Sequence, residues 1–346
     1  MVKNNEINIK IEKANYPPEV YNYFDFNTLD AFHQKDVMDA MYGPEWHSIL
    51  ITDNSNAFFN IISLNKIFHH DKYDVEPFLG YSGPIVMRND IEFVKNAVKK
   101  YKELCKEYNI VAEIIRFNPL IKNYSFFVDN SGIETFYSKS IVIANCFKDE
   151  SEQIKQYKAK SARYMINKAK KECVFKELHK ENDGTLFIKL YNSALKRVNA
   201  DSKWFFSSLF FNRVLKNNMF KLYGVYYKNE IQSIALVIEH KLASYYFLAA
   251  NVENLYPGSN ELLIHKICLE TAAKDIPSLI LGGGNTVSEE DPLLKFKKKF
   301  SSHTTPFYMG KIIHNEEIFK QLCSEAIKRN SEIESKNFFL KYRLLC

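Results

Sequence analysis

The order of helical and strand-like segments in the second half of the chain constrains the fold most strongly. Two helical stretches precede three strand-like runs at 220–227, 231–240 and 243–251, which are joined by connections of only a few residues. Connections this short favour antiparallel pairing. A loop with a helix, a short strand, a helix, a strand at 305–313 and a helix at 315–329 follow. The sequence therefore predicts an α+β fold with a mixed, mostly antiparallel sheet flanked by helices.

The first half shows the same alternation in a shorter form. Strand-like runs at 57–64 and 110–117 flank a helical pattern that begins after Asn89-Asp90. The length of 346 residues corresponds to about two domains. We therefore predict two similar domains, at residues 1–147 and 148–346. The second would contain the basic helix, the triglycine segment and the C-terminal helix.

The composition indicates a folded protein, since 46% of the residues are hydrophobic and 25% are charged. No C-x-x-C spacing occurs, so neither a zinc ribbon nor a redox pair is predicted. The six cysteines are Cys105, Cys146, Cys173, Cys268, Cys323 and Cys346. No apolar run approaches the ~20 residues of a membrane span, and the N-terminus lacks the apolar region of a signal peptide. These features predict a cytoplasmic protein with reduced cysteines and no membrane span.

Positive charge is concentrated between Ser151 and Cys173, where the pattern also predicts a helix. The cations of this basic helix are Lys155, Lys158, Lys160, Arg163, Lys168, Lys170 and Lys171. The whole chain has a net charge of +6, from 47 basic and 41 acidic residues. Such a balance favours anionic partners, including nucleotides and RNA. An ordinary solvated surface fits this modest charge equally well.

A short turn at residues 257–260 joins a predicted strand directly to the following helix. Its residues are Pro257, Gly258, Ser259 and Asn260. Free N–H groups of the first helical turn, together with the helix dipole, would form an anion site suited to a pyrophosphate. Ser259 or Asn260 could equally be an ordinary N-cap.

Three consecutive glycines stand out in a chain that has only 11. This triglycine segment consists of Gly282, Gly283 and Gly284. It allows positive φ angles and close approach of the backbone to a ligand or to a neighbouring strand. The following helix, Asp291 to Phe300, carries lysines near its end. A lysine beside a reacting carbonyl can stabilise an oxyanion, whereas a solvated basic helix end is the interpretation preferred for Lys298 and Lys299.

Several catalytic templates do not occur. The sequence lacks G-x-G-x-x-G, a Walker loop, G-x-S-x-G and H-E-x-x-H. His69-His70-Asp71 offers possible metal ligands, but a surface loop explains the segment better. The predicted chemistry therefore involves neither a metal nor a covalent intermediate.

Several motifs together resemble the FemAB family of aminoacyl and acyl transferases, over residues 45–315. They are Gly80-Tyr81-Ser82-Gly83-Pro84, Arg116-Phe117-Asn118-Pro119, Arg163-x-x-Ile166-x-x-Ala169, the Tyr-Pro-Gly turn, and the triglycine followed by Phe296-Lys297. The resemblance implies two acetyltransferase-like (GNAT) domains. It also implies amide formation, in which an amine attacks an aminoacyl-tRNA ester or a CoA thioester. Peptidoglycan precursors are the best-known acceptors of the family.

The resemblance also implies roles for single residues. Phe296 and Lys297 would lie at the donor site, where Lys297 steadies the anionic tetrahedral state. Donor binding would further involve the turn 257–260 and the triglycine. Acceptor binding is assigned to Tyr81, Arg116 and Arg163, with Arg163 near phosphates of an acceptor nucleotide. Asp291 and Tyr256 are candidates for proton transfer, although Asp291 before Pro292 is also typical of a helix cap.

The chain departs from the family pattern in several places. Ser82 replaces a glycine found in many relatives, and Asn118 stands where some carry an acid, so it cannot act as a base. The long coiled-coil arm of some aminoacyl transferases is absent. The R-x-x-G-x-G/A phosphate loop of single-domain acetyltransferases is also missing, and 257–260 would be a degenerate substitute.

Three functions follow from these observations. The first is transfer of an aminoacyl group from charged tRNA to an amine of a cell-envelope precursor, which could be nucleotide-linked, or of a peptide. The second is acyl-CoA-dependent N-acylation of an amino sugar or peptide. The third is a non-catalytic module that binds RNA or a nucleotide-sugar. The enzyme hypotheses need no tightly bound cofactor beyond the co-substrate, and the protein would be a monomer or a dimer.

Overall fold

The fold is given by a computed structural model, which describes residues 7–53, 55–77, 79–128 and 131–345. The first six residues of the predicted first domain and the predicted free cysteine Cys346 lie outside the described residues.

The described part of the chain contains the strands β1 Asn8–Lys13, β2 Trp46–Thr52, β3 Ala57–Ser63, β4 Asn65–Lys66, β5 Tyr73–Val75, β6 Ile85–Val86, β7 Ile110–Arg116, β8 Glu134–Asn145, β9 Cys173–Leu178, β10 Phe220–Tyr227, β11 Glu230–Ile238, β12 Ser244–Asn251, β13 Ser278–Gly282 and β14 Thr304–Ile313. Its α-helices are α1 Lys35–Tyr42, α2 Ile91–Glu107, α3 Glu150–Lys155, α4 Lys160–Ala169, α5 Lys180–Arg197, α6 Ser208–Lys216, α7 Ser259–Ala273, α8 Pro292–Lys298, α9 Glu316–Arg329 and α10 Glu332–Ser335. Strands also follow one another without an intervening α-helix, in the runs β2 to β6 and β10 to β12. Together with the mostly antiparallel pairing described below, this confirms the predicted α+β class.

The chain divides into two compact units. Unit 1 comprises Met1–Asn27, Pro44–Tyr137 and Tyr308–Cys346, and unit 2 comprises Thr28–Gly43 and Ser138–Phe307. Both units are therefore discontinuous in sequence.

Unit 1 contains two groups of paired strands and a long amphipathic helix. Strands β1, β2, β3 and β6 pair in that order, all antiparallel. Strands β4, β5, β7 and β14 form the second group. Helix α2 begins where predicted, because Oδ1 of its N-cap Asp90 accepts the N–H groups of Glu92 and Phe93, each at 3.0 Å. Phe93, Val94 and further residues at helical spacing bury one face of α2 in the core of this unit.

Unit 2 contains the strands β8, β13, β12, β11, β10 and β9, paired in that order. All neighbours are antiparallel except β12 and β13, which are parallel. The three predicted antiparallel strands are confirmed as β10, β11 and β12, in a register that aligns Leu222 with Leu236 and Leu236 with Leu248. Helix α7 packs on this sheet through buried residues on more than one face, including Leu263 and Ile267. The predicted mixed, mostly antiparallel sheet is therefore correct for unit 2.

The parallel pair is short. Only Ser244 with Leu279 and Tyr245 with Ile280 are in register, although β12 continues to Asn251. The two strands therefore separate toward their carboxyl ends. The triglycine follows β13 at this edge, and the turn 257–260 follows β12 at the same edge. Carboxyl ends of adjacent parallel strands are common ligand-binding positions.

The helix predicted over 151–173 is interrupted in the structure. It consists of α3 and α4, with a break at 156–159, and Cys173 already begins strand β9. Strand β9 pairs antiparallel with β10, with Lys176 opposite Gly224. Long-range pairing thus overrides the local helical pattern at the end of this segment.

The two units differ from the predicted division at 147/148. Residues 28–43 lie in unit 2, where Tyr245 donates to Asp30 at 2.6 Å. Residues 308–346 lie in unit 1, where β14 pairs with β7 and Arg343 donates to both carboxylate oxygens of Asp74, at 2.9 and 2.7 Å. These contacts join segments that are distant in sequence, so one boundary along the chain cannot separate the two units.

Candidate active site

The triglycine forms a tight turn between β13 and the segment that leads into α8. Gly282 has φ +80°. A Cβ on Gly283 would lie 2.7 Å from Cδ of Lys139 and 2.8 Å from the carbonyl oxygen of Ser140. A Cβ on Gly284 would lie 2.5 Å from Oδ1 of Asp291. Of the two expected reasons for the glycines, the structure shows close approach to a neighbouring strand, β8, while ligand binding by the triglycine stays a prediction.

Asp291 fixes the start of α8 and the turn at the same time. Its Oδ1 accepts the N–H groups of Leu293 and Leu294 at 2.9 and 3.0 Å. Its Oδ2 accepts the N–H and the hydroxyl of Thr286 at 2.9 and 3.0 Å. Desolvation opposes ionisation, but these hydrogen bonds outweigh it and lower the pKa of Asp291 to about 2. A carboxylate held in this way is a weak base, which favours the capping role over proton transfer.

Lys297 points back from α8 onto the turn. Its Nζ donates to the carbonyl oxygen of Gly283 at 2.7 Å. Burial, together with the nearby charge of Lys139, lowers the pKa of Lys297 to about 8, although Asp291 acts in the opposite direction. The side chain keeps partial solvent exposure. Lys297 is therefore a cation with an unusually labile proton, next to the turn.

The neighbouring lysines of α8 are held differently. Lys298 pairs with the carboxylate of Glu289, and Lys299 pairs with Glu261 at 3.3 Å. Each of these two lysines is thus paired with a carboxylate. The ring of Phe296 packs on Phe300 with 5.6 Å between centroids, and Lys299 lies 5.3 Å from the centroid of Phe296. In contrast to Lys298 and Lys299, Lys297 donates to a backbone carbonyl.

The turn at 257–260 is shaped by helix packing. Gly258 has φ +91°, and a Cβ there would lie 2.3 Å from the carbonyl oxygen of Met165 on α4. Gly258 is the N-cap of α7, and among the described residues no side chain caps this helix. The N-cap interpretation for Ser259 or Asn260 is therefore wrong, because both lie inside the helix. Pro257 is exposed, Asn260 is half-buried, and Gly258 and Ser259 are buried. The N–H of Ser259 donates to the carbonyl oxygen of Tyr256 at 3.1 Å. An anion site at the N-terminus of α7 stays a prediction.

Tyr256 lies beside this turn. Its ring stacks on Tyr227 with 4.3 Å between centroids, and its N–H donates to Oε1 of Gln232 at 2.8 Å. Desolvation, followed by the charges of Glu172 and Cys173, raises the pKa of Tyr256. The raised pKa keeps the Tyr256 hydroxyl protonated, so it can donate a hydrogen bond but is a weaker acid than an ordinary tyrosine.

Helix α4 and its flanks present the predicted cations. Lys170 pairs with Glu150 at 2.9 Å. Arg163 is half-buried, and its guanidinium has no hydrogen-bond or ion-pair partner within the part of the chain that the structure describes. The remaining unpaired cations in the described residues of this segment are Lys155, Lys158, Lys160, Lys168 and Lys171. Because Met165 contacts Gly258, α4 and the turn 257–260 are adjacent within unit 2.

The remaining predicted site residues, Tyr81 and Arg116, lie in unit 1 and contact each other. Nε of Arg116 donates to the carbonyl oxygen of Gly80 at 2.8 Å, and its guanidinium lies 5.6 Å from the ring centroid of Tyr81. Asn118 Nδ2 donates to the carbonyl oxygen of Tyr81 at 2.9 Å, and Asn123 Nδ2 donates to that of Ser82 at 2.9 Å. The two sequence motifs thus form one hydrogen-bonded loop, in which Asn118 is a structural clamp.

Sequence reasoning missed two groups in unit 2. Lys139 on β8 donates from Nζ to the carbonyl oxygen of Gly284 at 2.8 Å. His265 on α7 is buried, with Nε2 2.8 Å from Glu150 Oε1 and Nδ1 3.1 Å from the hydroxyl of Tyr157. The sequence offered no signal for Lys139, since only the fold brings it to the triglycine 145 residues later.

A cavity in unit 2 lies elsewhere. It has a volume of about 670 Å³, and Lys180, Lys216, Lys221 and Glu177 contribute to its mixed-charge lining. Lys297 does not line it. The candidate site is therefore defined by the turn and its lysines rather than by cavity size.

Within the described ranges, no group of three or more His, Cys, Asp or Glu side chains is arranged to hold a metal ion. No helix among the same residues is long and apolar enough to cross a membrane.

The architecture is that of a tandem acetyltransferase-like protein. A tandem GNAT protein from the clavulanic acid biosynthesis pathway matches with a TM-score of 0.54 and 9% identity, over 90% of this chain and 99% of that chain. FemX matches with a TM-score of 0.64 and 12% identity, over 84% of this chain and 94% of that chain. The C-terminal domain of a putative lysylphosphatidylglycerol synthetase from Agrobacterium fabrum matches with a TM-score of 0.52 and 13% identity, over 75% and 82% of the two chains.

The predicted resemblance is thereby confirmed for the fold: the chain has a FemX-like fold with two GNAT-like domains. No family model matches the sequence, and no curated protein sequence matches it.

Proposed function

We propose that the protein is an acyltransferase that forms an amide bond, with an aminoacyl-tRNA as donor and an amine of a cell-envelope precursor or peptide as acceptor. The observation that carries this proposal is the position of Lys297. Its Nζ lies 2.7 Å from the carbonyl oxygen of Gly283, in a turn that glycines alone can form, on a FemX-like fold. The neighbouring lysines are neutralised by carboxylates, so Lys297 is the cation of α8 that is available to a reacting group.

The chemistry needs few catalytic groups. An aminoacyl ester is already activated, so catalysis depends mainly on positioning the reactants and stabilising charge. The Lys297 ammonium would stabilise the oxygen anion that forms when the amine attacks the ester carbonyl. Asp291 would act through the turn that it fixes. No metal is required for this step.

The cations of α4 support an anionic partner. Arg163 has no carboxylate partner within the described residues, and five lysines around it are equally unpaired there. We assign Arg163 to phosphates of a nucleotide-linked acceptor, such as a peptidoglycan precursor, and the surrounding lysines to the tRNA backbone. Tyr81 and Arg116 in unit 1 are further acceptor-binding candidates. These partners would meet the enzyme in the cytoplasm.

The alternative donor is an acyl-CoA. Two observations favour it: the match to a tandem GNAT protein covers 99% of that chain, and the N-terminus of α7 has no side-chain cap in the described residues. The N–H of Ser259 already donates to the carbonyl oxygen of Tyr256, so the N–H groups of Asn260 and Glu261 would receive a pyrophosphate. The close contact between Gly258 and Met165 limits the space on one side of the turn.

The test separates the two donors and the non-catalytic hypothesis. The purified protein is incubated with an amine-bearing nucleotide-linked precursor and either charged tRNA or acetyl-CoA, and amide product is measured by mass spectrometry. We expect product with charged tRNA and none after RNase treatment. Product with acetyl-CoA, release of free thiol and indifference to RNase would establish the alternative. Binding without product from either donor would refute the enzyme proposal.

A further inference from the structure

Two lysines, not one, hold the triglycine turn. Lys297 donates to the carbonyl oxygen of Gly283 at 2.7 Å, and Lys139 donates to that of Gly284 at 2.8 Å. The stem of Lys139 runs along the backbone, since a Cβ on Gly283 would lie 2.7 Å from its Cδ. Two ammonium groups are therefore held at consecutive peptide units of one turn.

The ammonium groups of Lys139 and Lys297 repel each other, and the other charged groups near Lys297 compensate this repulsion only in part. Asp291 acts on Lys297 from the start of α8, but four hydrogen bonds already engage its carboxylate. Two more carboxylates are paired with neighbouring lysines: Glu289 with Lys298, and Glu261 with Lys299. Glu289 also accepts a hydrogen bond from the hydroxyl of Ser140 on β8 at 3.0 Å. Lys297 thus faces a second cation without a carboxylate of its own.

We propose that Lys139 is a positioning residue that makes the Lys297 ammonium acidic enough to protonate the leaving group of the transfer reaction. This inference rests on the proposed function and specifies what its central lysine does. A lysine beside a second cation gives up its proton more easily. General acid catalysis is most effective when the pKa of the acid lies near the working pH. Burial is the largest cause of the lowered pKa of Lys297, and the charge of Lys139 lowers it further.

The step balances without a further reagent. The acceptor nitrogen attacks the carbonyl carbon, a C–N bond forms, and the carbonyl electron pair moves to oxygen beside the Lys297 ammonium. When the intermediate collapses, the bond from carbon to the leaving oxygen or sulfur breaks, and that atom takes a proton from Nζ of Lys297. The neutral Lys297 then accepts the proton that the new amide nitrogen loses. The products are the amide and an alcohol or thiol, and Lys297 is an ammonium again.

The ionisation of Lys297 can be measured without any substrate. The wild-type protein is labelled with trace acetic anhydride between pH 6 and pH 11, and modification of Lys297 is followed by peptide mass spectrometry. We expect half-maximal reactivity near pH 8. In Lys139→Met, which keeps an apolar stem against Gly283, the midpoint should rise by about one pH unit, because a neighbouring cation has been removed. Lys139→Arg should keep the wild-type midpoint.

Two further variants serve as controls for this labelling experiment. Lys139→Gln removes the charge but keeps an N–H donor, so it replaces the methionine variant if that protein fails to fold. Lys298→Met removes a neighbouring cation that is already paired, and the Lys297 midpoint should stay in place. Equal midpoints in wild type and in the folded Lys139 variants would overturn the proposal.

The pH–rate profile tests the catalytic part. In the wild type, kcat should fall above about pH 8 as Lys297 loses its proton. In Lys139→Met this fall should move to higher pH, and kcat at pH 7 should decrease by about threefold, because Lys297 has become a weaker acid. A profile identical to that of the wild type would refute the role of Lys139. If no donor supports any reaction, the proposed function fails, whereas the labelling experiment still decides whether Lys139 sets the ionisation of Lys297.

Discussion

Replacing Lys297 by methionine should raise the stability of the protein and lower its catalytic rate. The pKa of Lys297 falls from the ordinary 10.5 to about 8 in the fold. The unfolded chain therefore binds this proton more tightly than the folded protein does. Below pH 8 this difference lowers the free energy of unfolding by about 3 kcal/mol, at 1.36 kcal/mol per pKa unit. Methionine removes this penalty but also removes the hydrogen bond to Gly283, which contributes roughly 1–2 kcal/mol. The net expectation is a gain of about 1–2 kcal/mol in unfolding free energy at pH 7.

The sign depends on pH. As the pH rises from about 8 to 10.5, wild-type Lys297 loses its proton in the folded state first, so the wild type gains stability over this interval. Lys297→Met has no such group and should not show that gain. The advantage of the variant should therefore shrink as the pH approaches 10.

The rate should change in the opposite direction. Loss of one donor to a developing oxyanion typically lowers kcat by about 10²–10³-fold. Urea denaturation at pH 7 and pH 9.5 measures stability, and the amide-forming assay gives kcat and KM. Lys298→Met is the matched control, because Lys298 lies one residue further on the same helix and pairs with Glu289; its rate should stay near that of the wild type. A Lys297→Met protein that is less stable than the wild type at pH 7, or that keeps full kcat, would refute the reasoning.

Three more outcomes can be tested. Gly258→Ala should lower the free energy of unfolding by about 2–3 kcal/mol in chemical denaturation, because Gly258 has a positive φ and a Cβ there would lie 2.3 Å from the carbonyl oxygen of Met165. Gly132→Ala is the control, because Gly132 has φ +89° but more space around it, and it should cost less. Equal losses in the two variants would contradict the packing argument. Arg163→Ala should raise KM for the acceptor with kcat within about twofold of the wild type, as expected for uniform binding, and a change confined to the donor KM would contradict its assignment. Burial lowers the pKa of His265. Stability should therefore fall as the pH drops below 6.5, because the unfolded chain takes up the proton first. Thermal melts of His265→Gln should show a weaker dependence of the melting temperature on pH, and an unchanged dependence would exclude His265 as its cause.

The local parts of the fold follow from the sequence. Strands β10 to β12 could be predicted, because their connections are too short for anything but antiparallel neighbours. The break in the basic helix at 156–159 and the strand from Cys173 could not, since β9 exists only through its pairing with β10. The assignment of residues 28–43 and 308–346 to units depends on long-range contacts, such as the pairing of β14 with β7, and the sequence does not show which distant segment each of them contacts.

The candidate site divides in the same way. Three glycines before a lysine-bearing helix indicated a tight approach of the backbone, and the structure shows it at Gly283 and Gly284. The sequence could not show that the carboxylate of Asp291 accepts four hydrogen bonds. It also could not show that Lys139 reaches the same turn, because residue spacing carries no information about which strand lies beside a loop.

The discontinuous units have a practical consequence for anyone who wishes to study them apart. A recombinant fragment ending at residue 147 would lack strand β14, the antiparallel neighbour of β7. The complementary fragment would lack α1, to which Arg213 of α6 donates hydrogen bonds at the carbonyl oxygens of Ala40 and Met41. Separate expression of either unit would need a circular permutation or a grafted linker, because no single truncation yields a piece that contains all of its own secondary structure.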